Sequence, residues 1–347
     1  MIKKDYDINS YISKYGLSNN LNIYRITRRN NAFLTLHNKE DESIWVRVDL
    51  KNCDFVVGDY VLVEKVKGEY YITSLLERES LITKAQSTSK KSFAYNDKEQ
   101  LVAANVDQIF ILISADQRFS LGKFERYVST FYHMAKDMHI IISKSDYNEE
   151  ASIIENEILK IYPNIEVAQL SIYNPISIQK VINLFEKGKT SILIGSSGVG
   201  KSTLINTVLN KKELSTQKVR SDGKGKHTTT SSSMYFLSKT SSYIIDTPGF
   251  KTIASHRQTD DTLLFQSIYD LSLKCKFNDC SHVNEPGCAI QLAIEKGDLS
   301  KELYDRYLKY KDKERRYEEY IIRKNKKGKT NKRMKVITKS GILNNNH

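Results

Sequence analysis

The stretch Gly195-Ser-Ser-Gly-Val-Gly-Lys201-Ser202 fits the phosphate-binding loop pattern G-x-x-x-x-G-K-S/T, and it follows the apolar run Ser191-Ile-Leu-Ile194. A strand ending at Ile194 would lead into a turn whose backbone N–H groups point at nucleotide phosphates, and its glycines would let the backbone come close. We expect Lys201 to reach the β- and γ-phosphates and Ser202 to bind Mg²⁺, while the following helix presents its positive end to the anion. The loop predicts phosphate contacts from Gly195, Ser196, Ser197, Gly198, Val199, Gly200, Lys201, Ser202 and Thr203.

A second motif, Tyr243-Ile-Ile-Asp246-Thr-Pro-Gly249, has the form of a buried strand that ends in D-x-x-G. D-x-x-G alone is a common pattern, but its position after a strand and downstream of the phosphate loop makes it informative. We expect Asp246 to hold Mg²⁺ through a water molecule and the Gly249 N–H to contact the γ-phosphate.

A Gly/Lys-rich loop, Gly223-Lys-Gly-Lys-His227, lies between these two motifs and continues into the hydroxyl run Thr228-Thr-Thr230. It is suited to closing over the γ-phosphate, with Thr229 completing the Mg²⁺ shell; a flexible basic surface loop is the alternative. Many GTPases place Gln directly after D-x-x-G to orient the attacking water, whereas Phe250 stands there in this chain. His227 is the nearest candidate for that role, and a structural or RNA contact is the alternative.

The guanine-reading candidate is Ser143-Lys144-Ser145-Asp146, which follows the apolar run His139-Ile-Ile-Ile142. Asp146 can accept hydrogen bonds from the N1–H and the exocyclic amine of guanine, and Lys144 would lie along the ring. The usual pattern is N-K-x-D. Ser143 can tie the loop to its neighbours but makes fewer hydrogen bonds than Asn, which predicts a lower affinity for the base.

The order of the motifs along the chain is unusual. An ordinary GTPase domain opens with the phosphate loop and carries its guanine-reading motif near the end, whereas here the guanine-reading motif comes first. The remaining base contact, a backbone N–H in a turn, is represented by Leu170-Ser171-Ile172. Strand-like and helix-like segments alternate from Val106 to Phe250, as in a doubly wound sheet. The order therefore predicts a circularly permuted α/β P-loop GTPase.

Three cysteines and one histidine cluster towards the C-terminus, in the pattern Cys275-x4-Cys280-x-His282-x5-Cys288. Three thiolates and an imidazole form a closed tetrahedral zinc site, which is structural because no position is left for water. The fourth cysteine of the chain, Cys53, lies far away in the sequence. This distribution favours one structural Zn²⁺ over disulfides, and chance clustering is the alternative.

Together these residues resemble the ribosome small subunit-dependent GTPases of bacteria, the RsgA group. Further matching stretches are Leu101-Val-Ala-Ala-Asn-Val-Asp107, Phe124-Glu-Arg-Tyr127 and Pro286-Gly-Cys-Ala-Ile290. The resemblance covers most of the chain. It implies an OB-fold in the N-terminal region, supports His227 as a catalytic residue, and implies binding of the small (30S) ribosomal subunit and its 16S rRNA. GTP hydrolysis would then be stimulated by the subunit and coupled to release from it.

The N-terminal region is rich in predicted strands. After a short polar lead over residues 1–18, side chains alternate in Ile44-Trp-Val-Arg-Val48 and in Tyr60-Val-Leu-Val63, with turns at Val57-Gly-Asp59 and Lys67-Gly68. Several short strands in a row are typical of a small β-barrel. Helices are predicted further on, at Ala289 to Lys296 and at Lys301 to Lys324. The predicted boundaries are 1–76 for an OB-fold-like RNA-binding domain, 77–100 for a linker, 101–254 for the GTPase domain, 255–325 for a zinc-finger and helical domain, and 326–347 for a basic, disordered tail.

The composition favours a polyanionic partner. The 347-residue chain is long enough for two or three domains, and its formal net charge is +13. The stretch from Arg323 to Lys339 is rich in Lys and Arg and carries no acid. Contact with RNA phosphates is favoured by the neighbouring motifs, and a solubilising tail is the alternative. Arg25, Arg28 and Arg29 could meet rRNA or be ordinary solvated strand residues.

The N-terminus, Met1-Ile-Lys-Lys-Asp-Tyr6, lacks the apolar region of an export signal, and no run reaches the length of a membrane span. We therefore expect a cytosolic protein without membrane contact. We also expect it to be a monomer.

Two functions are open: a GTP-hydrolysing assembly factor of the small ribosomal subunit, or a nucleotide-gated rRNA-binding module with incidental turnover. An ATP-dependent nucleic-acid motor is disfavoured by Asp146 and by the D-x-x-G motif at Asp246.

Overall fold

The computed structural model describes residues 4–30, 32–48, 54–85, 99–163, 165–209, 232–247, 261–312, 314–316, 318–319 and 322–323. The chain divides into two compact units, residues 1–264 and 265–347. The first unit contains a barrel-like N-terminal sheet and an α/β sheet, and the second contains helices and the cysteine cluster. No helix within these described ranges is long and apolar enough to cross a lipid bilayer.

The N-terminal sheet is antiparallel. Its strands are β1 (Ile23–Arg29), β2 (Phe33–His37), β3 (Ser43–Arg47), β4 (Tyr60–Val66) and β5 (Glu69–Leu75). β1 pairs with β2 and β4, β2 with β3, and β4 with β5. In β3 buried and exposed residues alternate: Ile44 and Val46 face a core shared with Ile26 and Leu34, while Trp45 is exposed. The predicted barrel-like sheet is confirmed.

Both turns predicted with glycine in this region are present. Lys67 and Gly68 join β4 to β5 with φ angles of 51° and 91°, as the twist of a two-residue hairpin turn requires. Gly58 has a φ of 98°, and a Cβ there would come within 2.0 Å of the Ala104 carbonyl oxygen. Only glycine fits at position 58, because two backbone segments approach each other so closely.

Three elements, one helix and two strands, arise where the sequence predicted none. Helix α1, Ile8–Tyr15, lies in the stretch read as a polar lead and buries Ile8, Tyr11 and Ile12. These three residues have the i, i+3, i+4 spacing of one helix face, so a short amphipathic signal was present. Strands β6 (Leu81–Ala85) and β7 (Glu99–Ala104) pair as a separate two-stranded sheet, and β6 lies within the predicted linker.

The α/β sheet has the strand order β10-β9-β8-β11-β13-β12. The strands are β8 (Gln108–Ser114), β9 (Asp137–Ser143), β10 (Val167–Leu170), β11 (Thr190–Ile194), β12 (Ser232–Leu237) and β13 (Ser242–Asp246), and the helices are α2 (Leu121–Phe131), α3 (Asn148–Ile161), α4 (Pro175–Asn183) and α5 (Lys201–Leu209). All strands except β12 pair in parallel. β11 is buried along its whole length, as expected for a strand covered on both faces. The carboxyl ends of the parallel strands meet at one edge, where the predicted nucleotide motifs lie.

The N-terminal sheet and the α/β sheet are joined. β1 pairs with β12 through Arg28↔Ser233 and Arg29↔Ser232, so that the strands form one 11-stranded sheet. Arg25 is 1% exposed. Its guanidinium donates to the carbonyl oxygens of Tyr6, Gly58 and Asn105 and to Thr190 Oγ1. The prediction that Arg25 meets rRNA or solvent is therefore wrong. A guanidinium can be buried where oxygens satisfy its N–H donors, and strand periodicity alone did not show that this position is covered.

The second unit begins within α6, Thr262–Ser272, and continues with α7, Ala289–Lys296, and a helix over residues 301–312. α7 has the predicted bounds and is closed by Gly297, whose φ is 79°. Tyr307 packs edge-on against Phe265 and Tyr269, at ring-centroid distances of 5.5 and 5.9 Å. Tyrosines of the last helix are thus used in packing.

Candidate nucleotide-binding site and metal cluster

The predicted phosphate loop connects β11 to α5. Gly198 and Gly200 have φ angles of 80° and 91°, a conformation in which a residue with a Cβ is strained. At Gly195 a Cβ would lie 2.7 Å from the Leu112 carbonyl oxygen. The backbone path therefore requires the three glycines that the pattern predicted. The N-terminus of α5 follows directly, which is the arrangement that binds anions.

Lys201 reaches back into this loop and is buried. Its Nζ donates to the carbonyl oxygens of Gly195 and Ser196, each at 2.8 Å. Burial lowers the pKa of Lys201 to about 8, although the Asp246 carboxylate acts in the opposite direction. A phosphate in the loop would favour the charged form of the lysine. The side chain is therefore positioned for the phosphate contact that the sequence predicts.

Asp246 ends β13 and is 2% exposed. Burial raises the pKa of this carboxyl to about 6, against the opposing effect of Lys201. Within the described part of the chain, its Oδ2 atom has no hydrogen-bond partner, and neither has the Thr247 hydroxyl. A buried carboxylate oxygen without a partner is costly, and a hydrated Mg²⁺ would satisfy it. The donors at this edge, with Ser202 in the first turn of α5, fit a magnesium ion.

The guanine-reading motif follows β9 and contacts the phosphate loop. Ser143 Oγ donates to the Val199 carbonyl oxygen at 2.7 Å, and it lies 3.1 Å from the Ile113 carbonyl oxygen. The hydroxyl thus ties the motif to its neighbours. Ser171 follows β10, and its Oγ donates to Asp146 Oδ1 at 3.1 Å. The fold brings Ser171, the least distinctive of the predicted base contacts, to the side of Asp146.

Sequence reasoning missed Asp116, which follows β8. Its Oδ2 atom forms an ion pair with Lys144 Nζ at 2.5 Å, and its Oδ1 atom accepts from the Ser114 hydroxyl at 2.5 Å. Partial burial acts to raise the pKa of Asp116, but the hydrogen bonds from Lys144 and Ser114 outweigh it and lower the pKa. An acid directly after a predicted buried strand was the available signal, because the ends of parallel strands share one edge.

Two further residues contact the phosphate loop and were also missed. Lys123 Nζ, on α2, donates to Ser196 Oγ at 2.5 Å. Gln117 Nε2 donates to the Ser197 carbonyl oxygen at 3.3 Å. Nothing in the sequence pattern marked these long-range contacts.

The structure brings the phosphate loop, residues 143–146, Ser171 and Asp246 to one edge of the sheet. The other predicted site residues, His227, Thr229 and Gly249, lie outside the described residues. The same is true of Phe250 and Cys53. Their roles stay predictions.

The four predicted metal ligands come together. Cys275, Cys280, His282 and Cys288 each offer one ligand atom, and these atoms lie within 4.8 Å of one another. Cys275 Sγ is 4.0 Å from Cys288 Sγ, and His282 Nδ1 is 3.5 Å and 3.9 Å from those two sulfurs. Ligands placed tetrahedrally at zinc–ligand distances would be roughly 3.5–3.8 Å apart. The cluster can therefore hold one metal ion.

The loop that carries His282 is held by its neighbours. His282 has a φ of 66°, and its carbonyl oxygen accepts from Gln291 Nε2 and from the Tyr304 hydroxyl, each at 2.5 Å. The Glu285 carboxylate accepts from the backbone N–H groups of Ser281, Val283 and Asn284 and from the Ser281 hydroxyl. These hydrogen bonds come from residues that are not predicted metal ligands, and they fix the orientation of the loop that carries His282.

The fold and these motifs define a circularly permuted P-loop GTPase. A family model described as RsgA GTPase matches residues 75–256, and one described as 50S ribosome-binding GTPase matches residues 190–329. The chain belongs to the RsgA GTPase family and is a GTP hydrolase. The resemblance inferred from the motifs is confirmed.

Two relatives illustrate the extent of the similarity. A Vibrio parahaemolyticus protein named small ribosomal subunit biogenesis GTPase RsgA 2 is 35% identical over 258 residues, which cover 74% of this chain and 69% of the relative. A Listeria monocytogenes protein named small ribosomal subunit biogenesis GTPase RsgA 1 is 30% identical over 354 residues, which cover 98% of this chain and 97% of the relative. The similarity to the second protein thus extends over nearly all of both chains.

Two solved structures share the fold. The crystal structure of YjeQ from Thermotoga maritima has a TM-score of 0.60 and 24% sequence identity, and the match covers 84% of this chain and 98% of that one. YloQ, described as a circularly permuted GTPase, has a TM-score of 0.57 and 20% identity, with coverage of 86% and 96%. The predicted permutation is confirmed at the level of the fold.

Proposed function

We propose that this GTP hydrolase is a maturation factor of the small (30S) ribosomal subunit, stimulated by the subunit and released from it upon hydrolysis. The observation that carries the proposal is the match over 98% of the chain with a relative named a small ribosomal subunit biogenesis GTPase. That match extends beyond the GTPase domain to the barrel-like sheet and the cysteine cluster. The formal net charge of +13 supports a polyanionic partner, the 16S rRNA.

In this proposal the phosphates of GTP lie in the loop 195–203, with Lys201 on the β- and γ-phosphates. Ser202 and Thr229 bind Mg²⁺, and Asp246 holds the ion through a water molecule. The ion would neutralise charge that develops on the phosphates. Two observations support these roles: Lys201 is buried, and Asp246 Oδ2 has no hydrogen-bond partner among the residues that the structure describes.

Guanine is read by Asp146, with the Leu170-Ser171-Ile172 turn as a further contact and Lys144 along the ring. The N–H of Ser171 itself donates to Ser177 Oγ at 3.1 Å. The hydrogen bond from Ser171 to Asp146 supports the assignment, because it orients the carboxylate at the base site. Ion pairing with Asp116 holds the end of the Lys144 side chain. Ser143 contributes through its contact with the phosphate loop.

For hydrolysis we assign His227 as the residue that orients the attacking water and Gly249 as the γ-phosphate sensor. Phe250 occupies the position of the usual glutamine and cannot orient water. Hydrolysis is therefore expected to be slow until a partner positions His227. His227→Ala should retain GTP-dependent docking but lose most of the stimulated turnover, whereas Lys201→Ala should lose nucleotide binding itself.

The remaining parts of the chain are assigned to structure and RNA contact. The cluster of Cys275, Cys280, His282 and Cys288 would hold one structural Zn²⁺, because its four protein donors leave no position for water. Residues 1–76 would act as an OB-type RNA-binding domain, 77–100 as a linker, 101–254 as the GTPase domain, and 255–325 as the metal-binding helical domain. Residues 326–347 would contact RNA phosphates.

The test is GTP turnover by the full-length protein, alone and with purified small or large ribosomal subunits. We expect strong stimulation by small subunits and no comparable effect of large ones. The measurement with large subunits is needed because one matching family model is described as a 50S ribosome-binding GTPase. The GTP-bound form should also bind the small subunit more tightly than the GDP-bound form. Absence of stimulation by active small subunits would favour the nucleotide-gated rRNA-binding module instead.

A further inference from the structure

The turn that follows β10 exposes three apolar side chains. Tyr173 is 78% exposed, Ile176 is 69% exposed and Ile172 is 43% exposed. A single exposed apolar residue needs no explanation. Three of them within five residues form an apolar surface, which we call the β10 turn patch, and such a surface indicates a place where a ligand or a partner binds. Neither Tyr173 nor Ile176 has a role in the function proposed above.

The backbone of Tyr173 is tied to the guanine-reading carboxylate. Ser171 Oγ donates to Asp146 Oδ1 at 3.1 Å and accepts from the Tyr173 N–H at 3.3 Å. A single hydroxyl thus joins the two residues. The turn is also fixed from its other side, because the Asn174 side chain accepts from the first backbone N–H groups of α4. Tyr173 is therefore held next to Asp146 while its side chain stays in contact with solvent.

The strand order places Tyr173 and Lys144 on opposite sides of Asp146. The strands follow the order β10-β9-β8, and Asp146 belongs to the loop after the middle strand, β9. The ion pair with Asp116, which follows β8, holds Lys144 Nζ on the β8 side. Tyr173 comes from the β10 side. A flat base bound by the Asp146 carboxylate would therefore lie between the alkyl chain of Lys144 and the turn that carries Tyr173.

The chemistry of guanine matches this position, because a base presents a flat π face to an aromatic ring. We propose that Tyr173 stacks on the guanine base, on the face that Lys144 leaves open. Ser143 makes fewer hydrogen bonds than the usual Asn of the guanine-reading motif, and a stacked ring offsets part of the lost affinity for the base. The inference rests on the proposed function, which places guanine at Asp146.

Calorimetric titration of the full-length protein with GDP tests this contact. Loss of one base–aromatic stack should raise the GDP Kd of Tyr173→Ala at least about fivefold, while Tyr173→Phe keeps the ring and should retain most of the affinity. Because Tyr173 is exposed, neither change should lower the thermal unfolding temperature. A wild-type Kd for Tyr173→Ala would overturn the proposal.

Tyr71→Ala is the matched control for this titration. Tyr71 lies on β5, is 49% exposed and donates its hydroxyl to Glu69, so its removal takes an exposed tyrosine from a region that has no part in the base site. The GDP Kd of this variant should equal that of the wild type. Equal losses of affinity in Tyr71→Ala and Tyr173→Ala would contradict the assignment.

Two further measurements separate stacking from a structural role of Tyr173. A ring above the base shifts the NMR signal of the guanine C8 proton of bound GDP to higher field. This shift should be present in the wild type and in Tyr173→Phe and absent in Tyr173→Leu, which is apolar but has no ring; the same C8 signal in all three would contradict stacking. At saturating GTP the kcat of Tyr173→Ala should be unchanged while its KM rises, because the base is held equally in the ground and transition states.

The outcomes separate this inference from the proposed function. If Asp146→Asn weakens GDP binding and Tyr173→Ala does not, the stacking assignment fails and the guanine site stands. If Asp146→Asn leaves the GDP Kd unchanged, the guanine site fails, and the C8 proton signal still decides whether Tyr173 lies on the base. Absence of stimulation by small subunits counts against the maturation-factor proposal alone. If Tyr173→Ala and Ile176→Ala bind GDP normally but lose subunit binding, the β10 turn patch contacts the subunit and the stacking assignment is overturned.

Discussion

The nucleotide edge of the α/β sheet and the cysteine cluster are built in opposite ways. The nucleotide edge collects residues between Ser143 and Asp246 at the ends of buried parallel strands. The cluster takes its four ligands from the short stretch Cys275–Cys288, and of these only Cys288 is buried. A site on a preformed sheet can lose its ligand and keep its fold, whereas a small metal-held loop depends on its ligand for its fold. Each of the following experiments tests this difference.

The largest effect is expected from Cys275→Ser, which should release the metal ion and loosen the second unit. Metal binding supplies on the order of 10 kcal/mol in small structural zinc sites, so its loss removes most of the local stability. The measured metal content should fall from one ion per chain to none, and the backbone amides of residues 275–312 should exchange their hydrogens faster. GTP binding should persist, and Cys53→Ser should retain the metal. A wild-type protein purified without chelators but lacking metal would contradict the assignment.

A smaller effect, confined to ligand binding, is expected from Asp146→Asn. Two hydrogen bonds to guanine are lost, and a bidentate pair to a base is worth about 1–3 kcal/mol, so GTP affinity should fall roughly 5- to 150-fold. Xanthosine triphosphate should become the preferred nucleotide, because the new amide donates to its carbonyl. Asp146 is exposed, so the thermal unfolding temperature should stay constant. Unchanged GTP affinity would remove Asp146 from the base site.

The pH dependence of nucleotide binding should reflect Lys201. Burial lowers its pKa to about 8 in the free protein, whereas a bound phosphate would raise it, so binding takes up a proton above pH 8. GTP affinity should therefore fall as pH rises from 7.5 to 9, by at most about tenfold per pH unit. Lys201→Arg is the control, because its guanidinium keeps its charge over this range. If GTP affinity changed with pH in the same way in the wild type and in Lys201→Arg, Lys201 would not titrate between pH 7.5 and 9.

The smallest effect is expected from Ser143→Ala. It removes the hydrogen bond to the Val199 carbonyl oxygen, worth about 1 kcal/mol. Both GTP affinity and thermal stability should decrease slightly, since this bond joins the guanine-reading motif to the phosphate loop. Ser152→Ala, on the exposed side of α3, is a control that should change neither. A normal affinity with reduced stability would confine Ser143 to a structural role.

The residues themselves determined the main features of this protein. The phosphate loop, D-x-x-G and the cysteine pattern are local motifs, because backbone approach to phosphates and tetrahedral metal binding each demand particular residues at fixed spacings. The order of those motifs along the chain was sufficient to predict the permutation. The bounds of α7 and the turns at Gly58 and Gly68 were predicted for the same reason, because each depends mainly on residues that are neighbours in the sequence.

Only the tertiary structure decided which side chains meet across the fold. Arg25 and Arg28 are close together in one strand, yet Arg25 is buried among oxygens from four distant segments, those of Tyr6, Gly58, Asn105 and Thr190, whereas Arg28 is exposed. Likewise, Asp116 joins Lys144 only because β8 and β9 end at the same edge. Such contacts depend on strand order and on the packing of distant segments, which spacing along the chain does not encode.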